Sequence, residues 1–142
     1  MMDPRYPIGR FVPPTAYGPQ FRADFIASIA ETPTRLRAAD LGLTESQLRT
    51  PYRDGGWSVA QVVHHLPDSH MNAYIRFKLA TTEDGPAIKA YDEARRAELA
   101  DASDVDLAPS LALVESLHRR WVVDPEGNKI ELWEPPKGRF PG

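Results

Sequence analysis

Apolar residues recur at helical spacing in three stretches of the chain and switch to alternation only near its end. In residues 19–40 the repeat is Phe21, Phe25, Ile29 and Leu36, which predicts a first helix. Pro19 suits its first turn, where a missing N–H costs nothing, and Pro33 is expected to bend or interrupt it. Residues 43–48, LTESQL, read as a short helical turn capped by Thr44, with Gln47 placed for a capping box. TPYRDGG, residues 50–56, is a turn, and Ser58 stands ready to cap a second long helix that begins at Val59 and runs to about Leu79. A loop follows, with Asp84, Gly85 and Pro86 as its turn signal, and then a helical stretch over 91–100. The third main helix is expected over 107–121, with a stripe of Leu111, Val114, Leu117 or His118, and Trp121. Beyond it, VVDPEGNKIELWEPP (122–136) places two apolar runs around a Pro-Glu-Gly-Asn turn, a hairpin signature.

The pattern predicts a mainly α chain: an extended, proline-punctuated arm over 1–18, a helical body over 19–121 with three main helices, and a β-hairpin-like tail over 122–142. A lone hairpin is marginal in water, so the tail is expected to pack on the helices or stay loosely ordered.

Composition narrows the chemistry. Seventeen basic and twenty acidic residues give a net charge of −3, and no block of like charge suggests nucleic-acid binding. The absence of cysteine excludes disulfides, thiolate metal sites and cysteine nucleophiles. No apolar run approaches the length of a membrane span, and the start MMDPRYPIGRF lacks the apolar core of a secretory signal. A cytoplasmic protein is the expectation by default.

The residues with chemical potential gather on the second long helix. On a wheel of about 100° per residue, His70 falls amid the apolar face of Val59, Val62, Val63, Leu66, Ala73, Tyr74 and Phe77. A packed, hydrogen-bonded histidine is expected there. His64 falls on the far side and is expected to be exposed. His65 borders the apolar face in line with Ser69, Asn72 and Arg76, a polar strip that is either a site wall or a solvent boundary. Asp68 lies three residues after His65, placed to orient a ring or to sit on the surface. Ser69, His70 and Asp68 are triad residue types, but neighbours on one helix diverge too widely for that geometry. Pro67 lies inside the same helix, where proline ordinarily costs about 3 kcal/mol.

Residues 6–121 resemble the DinB-like superfamily, in its branch of bacterial metal-dependent hydrolases. The stretches that carry the resemblance are YPIGRF (6–11), TPYRDGGWSVAQVVHHLPDSHMNAYIRFKL (50–79), PAIKAYDE (86–93) and SLALVESLHRRW (110–121). It implies a four-helix bundle, three histidines holding a divalent metal (zinc or nickel), a homodimer, a cytoplasmic location and a small-molecule substrate. The first metal histidine of that pattern matches His65. The other two belong to a last helix, and this sequence has no histidine after His118. The expected fold is therefore an incomplete bundle. The tail resembles the C-terminal strands of the vicinal oxygen chelate (glyoxalase) superfamily, whose metal glutamate matches Glu131.

Two functions follow. One is a metal-dependent hydrolase, or a thiol transferase of the same superfamily. His65 would be a metal ligand, His118 and Glu131 speculative replacements, and Asp68, Ser69, Asn72 and Arg76 would lie on the supporting or substrate side. Loss of two metal histidines would leave it inactive. The other is a non-catalytic helical domain that self-associates without metal. The sequence names no catalytic residue, substrate or choice between the two metals, since imidazole suits zinc and nickel alike.

Overall fold

A computed structural model describes residues 18–121, together with 3, 6, 8–10, 12 and 13 of the preceding arm. The helices are α1 (Pro19–Asp40), α2 (Glu45–Leu48), α3 (Val59–Thr82), α4 (Glu93–Ala97) and α5 (Ala108–Trp121), with a 3₁₀ turn at Ala100–Ser103 between the last two. All three expected long helices form. The expected fold class needs one correction: no β-strand occurs among the described residues, whose sole β-type pairing is an isolated bridge between Pro51 and Ser58. The hairpin expected over 122–136 lies outside the described residues, and the fold as described is all-α.

Local chemistry sets the helix starts. Pro19 opens α1 behind Gly18. Thr44 accepts from the Gln47 amide while the Gln47 side chain accepts from the Thr44 amide, a full capping box. Ser58 and Gln61 do the same at α3. The Asp92 side chain accepts from the Arg95 amide at α4, and the Asp106 carboxylate accepts from the Ala108 amide at α5.

The two internal prolines do not break their helices: α1 continues through Pro33 and α3 through Pro67. Each still removes an N–H that would have bonded the carbonyl four residues earlier. For Pro33 that carbonyl belongs to Ile29. Its replacement donor comes from α5: His118 Nδ1 lies 2.6 Å from the Ile29 oxygen.

α5 is the central element. It packs on α3 along one side and on α1 along the other, while α1 and α3 do not approach each other closely enough to pack. The core lies towards one end of this open layer. Leu48, Ala60, Val63, Leu107 and Leu111 are buried together, and Leu36, Leu43, Val59 and Val105 close over them. No residue of α1 is buried. Its attachment rests on partly buried contacts, an Arg37–Glu115 ion pair at 2.6 Å and the His118 bond.

Candidate functional site

The turn before α3 sets one wall of the site. The Tyr52 amide donates to the Trp57 carbonyl and the Val59 amide to the Thr50 carbonyl, folding residues 50–59 back on themselves. Gly55 takes φ +64°, and a Cβ on Gly56 would meet Arg53 Cγ at 2.7 Å. The turn delivers the Trp57 ring to His65, with centroids 4.9 Å apart and planes tilted by 56°. Neither ring nitrogen of His65 is hydrogen-bonded among the described residues. The imidazole is positioned through its face, which leaves both nitrogens for other partners.

His65 lines a cavity of about 230 Å³ between α3 and the segment from α4 to α5, together with His64, Asp68, Arg96 and Asp104. Gln61 joins the two walls, since its Nε2 donates to the Ala97 carbonyl at 2.7 Å. His64 corrects its predicted exposure. It is half-buried, with Nδ1 2.7 Å from Ser110 Oγ and Nε2 2.9 Å from the Asp104 carbonyl. A carbonyl only accepts, so Nε2 carries the proton and Nδ1 of the neutral ring accepts from the Ser110 hydroxyl. His64 thus ties α3 to the start of α5. The helical repeat of α3 does not reveal this, because the side that faces away from its apolar stripe faces the α4–α5 segment.

The polar strip does not converge on one point. Asn72 donates to the Asp68 backbone carbonyl at 2.8 Å, and Arg76 donates to the Lys89 carbonyl at 3.2 Å. Ser69 is half-buried beside them on the same helix. Asp68 lies on the cavity wall with His65.

His70 and His118 form a separate, buried centre. His118 is 1% exposed, and both of its nitrogens are bonded: Nδ1 to the Ile29 carbonyl and Nε2 to His70 Nδ1, each at 2.6 Å. The two rings meet edge to edge and nearly coplanar, their planes 24° apart and their centroids 4.8 Å apart, as a hydrogen bond between ring nitrogens requires. Trp121 presents an edge-on geometry to both rings, and also to Tyr74. The expectation of a packed, hydrogen-bonded His70 matches this arrangement. Burial, then the neighbouring His118, then His65, push the His70 pKa below the ordinary imidazole value. His118 was a speculative metal ligand, and here the fold gives both its nitrogens to protein partners. Its pairing with His70 was not legible, because nothing in the two helical repeats sets their relative height.

Among the described residues, no group of three His, Asp or Glu side chains stands close enough to hold a metal ion. Glu131 lies outside the described residues. A catalytic zinc needs about three protein ligands and an open position. The described residues supply one free imidazole, that of His65, and do not make a metal site by themselves. Among them, no helix is long and apolar enough to cross a membrane.

Comparison with known proteins places this architecture. The DinB superfamily model matches residues 28–127. A protein of Geobacillus thermodenitrificans is 54% identical over 121 residues, which cover 84% of this chain and 68% of that protein. YfiT of Bacillus subtilis is 52% identical over 116 residues, covering 82% of this chain and 65% of its own length. Both bear the provisional name of metal-dependent hydrolase. The chain thus spans about two thirds of the length of these relatives. The solved structure of YfiT, described as a probable metal-dependent hydrolase with an unusual four-helix bundle topology, superposes with a TM-score of 0.80. It is 50% identical, and the match covers 84% of this chain and 69% of that one. Identity and fold agree over the same helices, and the chain belongs to the DinB superfamily.

Proposed function

We propose that this chain is the scaffold of a DinB-type metal-dependent hydrolase that keeps one metal ligand, His65, and binds a divalent metal only weakly. The observation that carries the reading is His65 itself. Its ring is backed by Trp57 and its nitrogens are uncommitted at a cavity wall, yet no second and third ligand stand beside it among the described residues. A metal bound there would supply an activated water. The chain's own contribution is to orient the His65 ring through Trp57 and to place Asp68 and Arg96 on the same wall. Zinc and nickel both suit an imidazole donor.

The test is metal content by mass spectrometry on untagged protein, with His65→Ala beside it, and hydrolysis of small ester and amide substrates with and without added zinc or nickel. The expected result is metal far below one per chain and little or no turnover. One equivalent of zinc or nickel that is lost in His65→Ala would overturn the weak-binding reading and show that other residues complete the site.

A second reading, a self-associating helical domain, is favoured by one observation. Met71 and Ile75, one turn apart on α3, are 39% and 52% exposed, and α1 leaves that helix uncovered. Sedimentation of the same samples checks it: a homodimer supports it, and a monomer at high concentration removes it.

A further inference from the structure

We propose that the His70–His118 pair is an acid-released latch that holds α1 onto the rest of the fold. The latch involves no metal. α1 has no buried residue and does not pack on α3. Pro33 deprives the Ile29 carbonyl of its intrahelical donor, and His118 Nδ1–H takes that place at 2.6 Å. His118 Nε2 then accepts from His70 Nδ1–H, also at 2.6 Å. One side chain of α5 thereby joins a carbonyl of α1 to an imidazole of α3.

The geometry limits how many protons the closed form can hold. Two ring nitrogens 2.6 Å apart accommodate a single proton between them. The Ile29 carbonyl requires a second on His118 Nδ1, and His70 Nε2 can take a third. A fourth would set two N–H groups against each other, so the closed latch excludes the doubly charged pair. Once α1 lifts away, both rings are free to charge.

The surroundings offer no rescue. On α5, Glu115 is three residues before His118 but is paired with Arg37 of α1. α3 contributes His65, a like charge when protonated, and Tyr74, with the Lys78 ammonium 5.4 Å from the Tyr74 ring centre. Trp121 adds ring contacts, and α1 offers the Ile29 carbonyl. No carboxylate is bonded to either imidazole among the described residues. Lowering the pH therefore favours the open form by mass action of up to two protons, about 10- to 100-fold in the opening constant per pH unit below the unperturbed histidine range.

Hydrogen exchange at pH 7.5, 6.5 and 5.5, corrected for intrinsic rates, tests this on the full chain. In the wild type, α1 amides around Ile29 are expected to lose protection about 10-fold or more from pH 6.5 to 5.5, and the core of α3 near Val63 much less. His118→Gln keeps a donor for Ile29 and an acceptor for His70 but cannot titrate, and a His70 protonated at Nε2 can still donate to it from Nδ1, so the pH dependence of its α1 protection should shrink to what the burial of His70 alone leaves. His70→Gln, which keeps a donor for His118, should lower the proton uptake from two to one. It is the deciding variant if His118→Gln does not fold. Equal α1 protection at all three pH values in the wild type, or an unchanged pH response in the variant that folds, would overturn the proposal.

Discussion

His70 Nδ1 and His118 Nε2 lie 2.6 Å apart, with the other nitrogen of His118 equally close to the Ile29 carbonyl. Because a carbonyl can only accept, the chain of bonds has one direction. His118 must be the Nδ1–H tautomer and His70 must donate from Nδ1. Nitrogen-15 NMR of the imidazoles is expected to show His118 carrying its proton at Nδ1, the less common tautomer in solution. An Nε2–H signal for His118 would contradict the assigned direction.

Stability should fall in mild acid. The His70 pKa in the folded chain lies below its unfolded value near 6.5, so between the two the unfolded chain binds more protons. Its contribution is fully present above about pH 6.5 and is lost as the pH drops through the lowered folded value. The slope for one such group stays below about 1.4 kcal/mol per pH unit, and solvent screening of this half-buried ring reduces it further. Urea denaturation at pH 7.5 and 5.5 measures it, and greater stability at the lower pH would reverse the sign.

Pro33→Ala gives the Ile29 carbonyl an intrahelical donor in competition with His118. Helicity by circular dichroism should rise or hold, since proline ordinarily costs a helix interior about 3 kcal/mol. The acid-induced exposure of α1 should shrink, because His118 no longer supplies the sole donor. A wild-type pH response in this variant would show that the orphaned carbonyl is not what fixes His118.

The core makes a sharper distinction than hydrophobicity alone. Leu111 is 6% exposed within the main cluster, whereas Leu113, two residues on, is 52% exposed. Leu111→Ala should cost about 2–5 kcal/mol and Leu113→Ala within about 0.5 kcal/mol. Chemical denaturation of the pair checks both values.

Ser58→Ala removes half of the capping box that starts α3. A loss of about 1 kcal/mol is expected. The Pro51–Ser58 bridge is made of backbone bonds that alanine keeps, so the Trp57 ring should stay on His65 and tryptophan fluorescence should change little. Unchanged stability would mean that the cap contributes nothing to the start of α3, and a changed fluorescence would mean that the Ser58 side chain also holds the turn.

The sequence by itself determined what depends on neighbours along the chain. Thr44–Gln47 and Ser58–Gln61 announce capping boxes because the partners are three residues apart, and the α1, α3 and α5 repeats follow from the turn of a helix. The strip through His65 was visible for the same reason. Only the tertiary structure decided how faces of different helices meet. It took His64 from predicted exposure to Ser110 and Asp104, and it chose His118 over Leu117 for the buried position on α5. It also turned Pro33 from an expected bend or interruption into the source of a free carbonyl that His118 answers from 89 residues away. A helical repeat fixes the direction of a side chain around its own axis. The height and angle at which another helix crosses it come from packing, and that is where the two histidine networks arise.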